Sequence, residues 1–270
     1  MEARRHYCRL RRRAAIGQLI MAAENFTMWS EYASGGLLSG SFRHSYPHWG
    51  KRFPRLTAVI DSSWFAKTLD VLSFSSAAAT LTMVKTPRIA FVTAATNAVT
   101  YSLTRIRNGY GRDGSDEMQE LLGWYDLLSR AEKSQQDRYD VFLQGVNLQM
   151  AISYCASGLV KATSEQWRRG TAFEDVMRTS MYGDPLISRI LEAVPGSSTL
   201  ICWQTLLWES LYPLSYLLPY KAFLAVIAST EVFHGAIGQF MGLPRFFWAF
   251  GASHEAAIYA KKKMLKGGSA

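Results

Sequence analysis

The chain has 270 residues and a formal net charge of +9, with 30 Lys and Arg against 21 Asp and Glu. This length suits one or two domains. The positive charge admits nucleic acid as a partner, but no zinc-finger spacing, RNP-type strand or helix-turn-helix pattern is present to receive it. We therefore expect no nucleic-acid partner, and interpret the charge as that of a membrane protein with basic cytoplasmic segments.

No metal site is predicted either. The cysteines at 8, 155 and 202 form no zinc-binding spacing and are interpreted as small core residues. His44 and His48 lie in a loop with Pro47, where a stable metal-binding pair is not expected.

The first 54 residues are predicted to form a cytoplasmic or interfacial N-terminal segment. Arginines dominate positions 4–13, and an alanine-rich stretch follows at 14–23. A cleaved secretion signal begins in the same way, but a long leucine-rich run is missing here, and Glu24 and Glu31 follow quickly. We interpret the segment as a retained amphipathic helix at the membrane surface.

Six mainly apolar stretches follow, and each is compared with the roughly 20 residues that a helix needs to cross a bilayer. They lie at 71–84, 89–104, 141–160, 200–218, 222–241 and 246–260. The sequence thus predicts an all-α fold, a polytopic membrane bundle of about six transmembrane helices over residues 55–260, with interfacial helices beside them. Residues 261–270 are predicted as a basic cytoplasmic tail.

Lys161 ends the clearest of these stretches and has two interpretations. An interfacial lysine extends its ammonium into the lipid headgroups and keeps its carbon chain in the apolar layer. A partly buried amine is instead neutral part of the time, and can act as a base near neutral pH.

Glu209 and His234 are further candidates because both fall inside predicted spans. Ionisable groups at membrane depth are costly and usually face the bundle interior. Glu209 lies one turn before Pro213, which kinks a helix, and it either pairs with a cation or takes part in chemistry. His234 is either a hydrogen-bonded packing residue or a catalytic one.

Three sequence blocks together resemble a known family. They are SLTRIRN at 102–108 with DGSD at 113–116, YCASGLVK at 154–161 with Trp167 and Gly170, and Glu209 with Pro213, His234 and MGL at 241–243. In this order and spacing they resemble the HTTM family, the horizontally transferred transmembrane domain related to vitamin K-dependent gamma-carboxylase and to sporulation-delaying protein B. The resemblance covers roughly residues 55–255.

The resemblance implies an integral protein of a bacterial cytoplasmic membrane. In the carboxylase, the lysine of the second block deprotonates reduced vitamin K, whose oxygenation yields the base that prepares glutamate for carboxylation. Lys161 matches that lysine, which implies a catalytic base, a reduced quinone as cofactor, and a carboxylase-like or epoxidase-like activity. Full glutamate carboxylation is not expected, because no counterpart of the carboxylase's large luminal domain follows the bundle.

Sporulation-delaying protein B assists the maturation of a secreted peptide. We therefore expect quinone-linked modification or maturation of an exported peptide, with the lipid bilayer and that peptide as partners. The alternative is a non-catalytic membrane scaffold or export subunit for another protein. A soluble basic helical protein is a third hypothesis.

Overall fold

The computed structural model describes residues 1–40, 52–108 and 111–267. Within those ranges every regular element is helical, so the predicted all-α class is confirmed. The α-helices are α1 (Glu2–Thr27), α2 (Pro54–Asp61), α3 (Ser63–Met83), α4 (Pro87–Asn108), α5 (Gly114–Ser129), α6 (Gln135–Thr163), α7 (Glu165–Arg169), α8 (Ala172–Met177), α9 (Pro185–Ala193), α10 (Ser197–Leu211), α11 (Tyr220–Phe240) and α12 (Pro244–Gly267). Short 3₁₀ helices occupy Trp29–Tyr32 and Tyr212–Leu217.

The chain forms two compact units, Met1–Phe142 and Leu143–Ala270. We call them unit 1 and unit 2. Their boundary falls inside α6, and the predicted boundary after residue 54 does not coincide with it. The N-terminal segment belongs to the same unit as α3, α4 and α5, because α1 packs directly against α3.

Helix α1, which was predicted to lie at the membrane surface, packs within unit 1 along much of its length. Leu10 and Ala22 are fully buried, and the charged Arg11 is 5% exposed. Small residues such as Ala14 and Ala15 allow close approach to neighbouring helices, so α1 is a core helix of unit 1. The arginine-rich composition obscured this, because only some of its arginines face outward.

Hydroxyl groups hold the α3–α4 interface together inside unit 1. Ser73 Oγ donates to Thr100 Oγ1 at 3.1 Å, and Ser76 Oγ donates to the carbonyl of Thr93 at 3.1 Å. The outer faces of the same helices carry large apolar side chains, including Phe74 and Val92. Helices α3 and α4 therefore place hydroxyl groups at their shared interface and some large apolar side chains on their outer faces.

Helix α5 begins at Gly114, and Asp113 is its N-cap. Asp113 accepts from the backbone of Asp116, and the Asp116 side chain accepts in return, which completes a capping box.

One helix of the described ranges, Tyr220–Phe240, is long and apolar enough by length and composition to cross a membrane. The other predicted spans map mainly onto α3, α4, α6, α10 with the 3₁₀ helix that follows it, and α12, and none of these helices meets the same limits. Helix α10 has only 15 residues before the 3₁₀ turn that contains Pro213. Serine and threonine lower the hydropathy of α3. The helices thus support one candidate span rather than six.

Unit 2 contains the greater part of α6 together with α7 to α12. Helices α11 and α12 pack against each other, and α10 contacts the short helices α7 and α8. Gly170 ends α7 with a φ of +80°, a conformation that suits glycine. Its carbonyl accepts a hydrogen bond from Ser198 Oγ at 2.7 Å, which fixes the start of α10 beside this turn.

Candidate functional site

Unit 2 contains an apolar cavity of about 270 Å³, which we call the unit-2 cavity. Its walls come from α6, α10, α11, α12 and the short helices α7 and α8. Apolar and aromatic side chains form most of the lining, including Ile201, Ile237, Phe233, Phe246 and Phe250. Polar side chains interrupt this surface at a few places: Ser153, Tyr154, Ser157, Lys161, Thr205, Glu209 and His234.

Lys161 and Glu209 form a close ion pair in the cavity wall. Lys161 Nζ lies 2.5 Å from Glu209 Oε2 and donates to Ser157 Oγ at 2.6 Å. The Trp167 ring also lies near this ammonium, with its centroid 5.3 Å from Nζ. The Lys161 side chain is 21% exposed and that of Glu209 is 7% exposed. Lys161 is therefore fixed by partners within the protein, unlike a lone lysine extended into headgroups.

Helical spacing brings the members of this cluster together. Ser157 and Lys161 are four residues apart on α6 and so lie on the same helix face. Glu209 lies in the last turn of α10, just before the 3₁₀ turn with Pro213. Gly158 has no side chain to separate α6 from α10, and its close contact with Ser210 holds the two helices at a short distance.

A second polar group of the cavity is centred on Tyr154. The Tyr154 hydroxyl lies 2.9 Å from His234 Nε2 and 3.2 Å from His254 Nε2. On the far side of His254, its Nδ1 lies 3.5 Å from Glu231 Oε1. Tyr154, His234 and His254 are all less than 5% exposed. Tyr154 and both histidines are joined by hydrogen bonds, Glu231 adds an ion-pair contact at His254, and Tyr154 and His234 line the cavity.

Aromatic packing holds the cavity-facing histidine in place. The Phe250 ring stacks on His234 with a centroid distance of 4.5 Å and an interplanar angle of 12°. Phe246 stacks on the same histidine at 6.1 Å. This stacking and the contact with Tyr154 together fix the orientation of the imidazole ring.

All three site residues proposed from the sequence, Lys161, Glu209 and His234, line this one cavity. Sequence reasoning missed Tyr154, Ser157 and His254 as site residues. For Tyr154 and Ser157 a signal was present, because 154, 157 and 161 follow the three- and four-residue spacing of one helix face. His254 gave no such signal, since it lies in a different helix and its contact with Tyr154 cannot be read from spacing along the chain.

The described ranges contain no group of three or more His, Cys, Asp or Glu arranged to hold a metal ion. His44 and His48 lie outside the described residues. The three cysteines are free, and Cys8 and Cys202 are buried.

Unit 1 has a separate buried cluster around Asp126. This carboxylate pairs with Arg11, accepts from the Tyr7 hydroxyl at 2.7 Å, and pairs with Arg130 at 3.0 Å. Arg11 also donates to Thr93 Oγ1 at 3.0 Å. Burial raises the pKa of Tyr7 and lowers the pKa of the Arg11 guanidinium. Because these charged and polar side chains pair with one another, we infer that the cluster stabilises unit 1.

No family model, curated protein or solved structure matches the chain significantly.

Proposed function

We propose that the chain is an integral membrane protein whose unit-2 cavity binds a reduced quinone, with Lys161 as the base, in the modification or maturation of an exported peptide. The observation that carries the proposal is the Lys161–Glu209 ion pair in the wall of an otherwise apolar cavity. Charged side chains rarely line apolar cavities unless they are paired or take part in chemistry.

The distribution of apolar side chains supports a membrane location. Large apolar residues are exposed along the helices of both units, among them Phe91 at 49%, Val160 at 69%, Leu200 at 68% and Val232 at 72%. Exposed apolar surface of this extent is typical of contact with lipid or with another protein. On α11, by contrast, the polar Thr230 is fully buried. We propose that α3, α4, α6, α10, α11 and α12 lie in a bacterial cytoplasmic membrane as a polytopic bundle.

The dimensions and lining of the cavity suit the ring of a quinone. Ligand sites are mostly apolar and aromatic, carry a few polar groups, and begin at about 300 Å³. The unit-2 cavity, at about 270 Å³, lies close to that lower limit. Phe233, Phe246 and Phe250 offer flat apolar surfaces to an aromatic ring, and Lys161 and His234 offer polar contacts. These residues would hold the ring, and a longer side chain would extend beyond the cavity.

To act as a base in the proposed reaction, Lys161 would first pass a proton from Nζ to Oε2 of Glu209, its close partner. The transfer would leave a neutral amine beside a neutral carboxyl in an apolar wall. The amine lone pair at Lys161 Nζ would then take up a proton from a hydroxyl group bound in the cavity. Ser157 holds the nitrogen in position. A bound reduced quinone would supply the acidic hydroxyl and the reducing equivalents.

The exported peptide is proposed because of the resemblance to the HTTM family, whose short members assist peptide maturation.

The alternative, a non-catalytic scaffold or export subunit, is favoured by one feature of the Lys161–Glu209 cluster. The ion pair joins α6 to α10, so it would serve equally as a structural link. The two functions differ in whether Lys161 must lose its proton.

The test compares Lys161→Arg with Lys263→Arg, an exposed exchange of the same kind. Arginine keeps the positive charge beside Glu209 but stays protonated, so it cannot act as a base. Epoxidation of reduced vitamin K is measured in membranes that contain matched amounts of each variant. We expect activity in the wild type and in Lys263→Arg, and its loss in Lys161→Arg. Full activity in Lys161→Arg would overturn the catalytic proposal and favour the scaffold.

A further inference from the structure

One side of α1 carries exposed arginines that the packing of unit 1 does not use. Residues 1–23 contain six arginines and a single acidic residue. Arg5, Arg9 and Arg12 are four and three residues apart, so they lie along one face of the helix. All three are exposed, and Arg4 is exposed beside them. Helix α1 thus presents a row of positive charge to its surroundings.

Lys85, in the turn between α3 and α4, extends this row and is exposed as well. Burial raises the pKa of the Cys8 thiol, whereas the charges of Arg4, Arg12 and Lys85 act to lower it, so these three cations lie near one sulfur atom. We define the basic surface as Arg4, Arg5, Arg9, Arg12 and Lys85. Among the residues that the structure describes, no ion pair joins any of the five to a carboxylate.

Large apolar side chains are exposed at the same end of unit 1. Met83 ends α3 just before the turn and is 50% exposed, and Phe91, in the second turn of α4, is 49% exposed. Arg130 lies over the Phe91 ring, with its Cζ 5.3 Å from the ring centroid. Arg130 and Arg4 both act electrostatically on Tyr139, so Phe91 lies close to the basic surface. Cations and exposed apolar groups therefore border each other here.

An anionic phospholipid matches both parts of this border. Guanidinium and ammonium groups donate charge-assisted hydrogen bonds to phosphate oxygens, and acyl chains cover apolar side chains. The cytoplasmic leaflet of a membrane carries anionic lipids, which attract basic segments beside it. A nucleic acid or an acidic protein would use the cations alone and would leave the neighbouring apolar side chains exposed.

We infer that the basic surface of unit 1 is a binding site for the phosphate head groups of anionic phospholipids, whose acyl chains lie against Met83 and Phe91. The inference rests on the proposed membrane location and adds the class of lipid that unit 1 selects. The positive-inside rule places this end of unit 1 at the cytoplasmic face. Long arginine side chains reach the head groups from there while their carbon chains stay against apolar surface.

The test adds an equimolar mixture of dioleoyl phosphatidylglycerol and dioleoyl phosphatidylcholine to the detergent-purified full chain, and counts the bound lipids by native mass spectrometry. The acyl chains of the two probes are identical, so their ratio reports the head group alone. We expect phosphatidylglycerol to be preferred roughly fivefold, the contribution of about one basic residue beside an anionic lipid surface. Equal binding of the two lipids by the wild type would overturn the inference.

Two double variants test whether this preference belongs to the basic surface. Arg5→Gln with Arg12→Gln removes two of its charges, and should bring the lipid ratio to near unity. Arg52→Gln with Arg55→Gln removes the same charge from exposed positions at the start of α2, and should keep the wild-type ratio. All four side chains are exposed, so neither variant disturbs the core of unit 1. A ratio that stays unchanged in the first variant, or that falls equally in both, would contradict the assignment.

Two further probes identify other sources of the same chemistry. Glycerol 3-phosphate carries the phosphate without acyl chains and should not displace phosphatidylglycerol at equal concentration; displacement would indicate a site for a free phosphate instead. A duplex oligonucleotide that binds the wild type but not Arg5→Gln with Arg12→Gln, in the absence of any lipid preference, would assign the surface to nucleic acid and overturn the inference.

The outcome is independent of the proposed reaction and of bilayer insertion, because the measurement needs only detergent micelles. Loss of quinol epoxidation with an intact phosphatidylglycerol preference would count against the proposed reaction alone. A wild type that is soluble but keeps the preference would refute the integral membrane location and retain the lipid site.

Discussion

Gly158 on α6 lies so close to Ser210 on α10 that a Cβ at position 158 would collide with the Ser210 backbone nitrogen. Gly158 precedes Lys161 by one turn, and Ser210 follows Glu209 directly. The absence of a side chain at this point lets the two helices approach, and this approach is what allows the Lys161–Glu209 pair to form. Small residues serve the same purpose where membrane helices pack closely.

We expect Gly158→Ala to lower the free energy of unfolding by about 1–3 kcal/mol, the usual effect of overpacking. The contact is with backbone atoms, which cannot move aside as a flexible side chain would. Denaturation of the detergent-solubilised protein measures the change. Gly235→Ala is the matched control, because a Cβ there meets only Phe247 at 3.7 Å and alanine favours a helix. Similar stability for the two variants would contradict the close helix contact.

The Lys161–Glu209 pair should behave as a unit when its members are removed. Lys161→Met leaves the carboxylate of Glu209, 7% exposed, without its cation. Such a loss costs about 3–5 kcal/mol for a fully buried pair. We expect about 1–3 kcal/mol here, because the Lys161 side chain is 21% exposed and solvent screens it.

The double variant Lys161→Met with Glu209→Gln should regain part of that stability, since the uncompensated charge is gone. Glu165→Gln breaks an exposed pair with Arg169 and should have little effect. Chemical denaturation of the four variants gives the coupling energy. Strict additivity of the two single substitutions would show that the pair carries no interaction of its own.

We expect the free energy of unfolding of unit 1 to fall at alkaline pH because of the buried hydroxyl of Tyr7. Burial raises the pKa of its hydroxyl above the ordinary value of 10.0, so the folded protein keeps a proton that the unfolded chain releases. The stabilisation by the neutral hydroxyl is therefore complete below about pH 10 and is lost as the pH rises above it.

Unfolding of the wild type and of Tyr7→Phe, compared at neutral pH and above pH 10, tests this linkage. At neutral pH the wild type should be the more stable, because Tyr7 donates a buried hydrogen bond to Asp126. The difference between the two proteins should shrink as the pH rises. A constant difference across that range would show that Tyr7 does not titrate on unfolding.

The candidate site residues could be predicted from the sequence more completely than the packing of the helices. Lys161, Glu209 and His234 stood out because ionisable groups are rare in apolar stretches, and the fold brings them to one cavity. His254 did not stand out, because its role depends on a contact with Tyr154 a hundred residues away. The burial of α1 was equally hidden, since Arg11 finds its partner Asp126 only in the folded unit.

The number of spans was the weakest prediction for a related reason. In α3 and α4 the inward faces carry Ser73, Ser76, Thr93 and Thr100, which lower the average hydropathy of each helix. A composition average cannot separate these buried hydroxyls from the apolar residues on the outer face. The outer faces bear directly on the membrane proposal, and α11 offers the sharpest test of it.

Val232, near the middle of α11, is 72% exposed. If α11 crosses a bilayer, Val232→Lys places a charge at membrane depth and costs about 2.5–3.5 kcal/mol of insertion free energy. If α11 faces water, the same change falls among surface substitutions, which usually shift stability by less than about 0.5 kcal/mol. The two environments thus predict different outcomes for one substitution.

We expect Val232→Lys to reduce sharply the amount of protein that remains in membranes after an alkaline carbonate wash. Met181→Lys is the matched control, because Met181 is 75% exposed but lies in the turn between α8 and α9. Its membrane fraction should equal that of the wild type, which only detergent should release. Recovery of the wild type in the soluble fraction, with both variants equally soluble, would instead identify a soluble helical protein and would refute the membrane proposal.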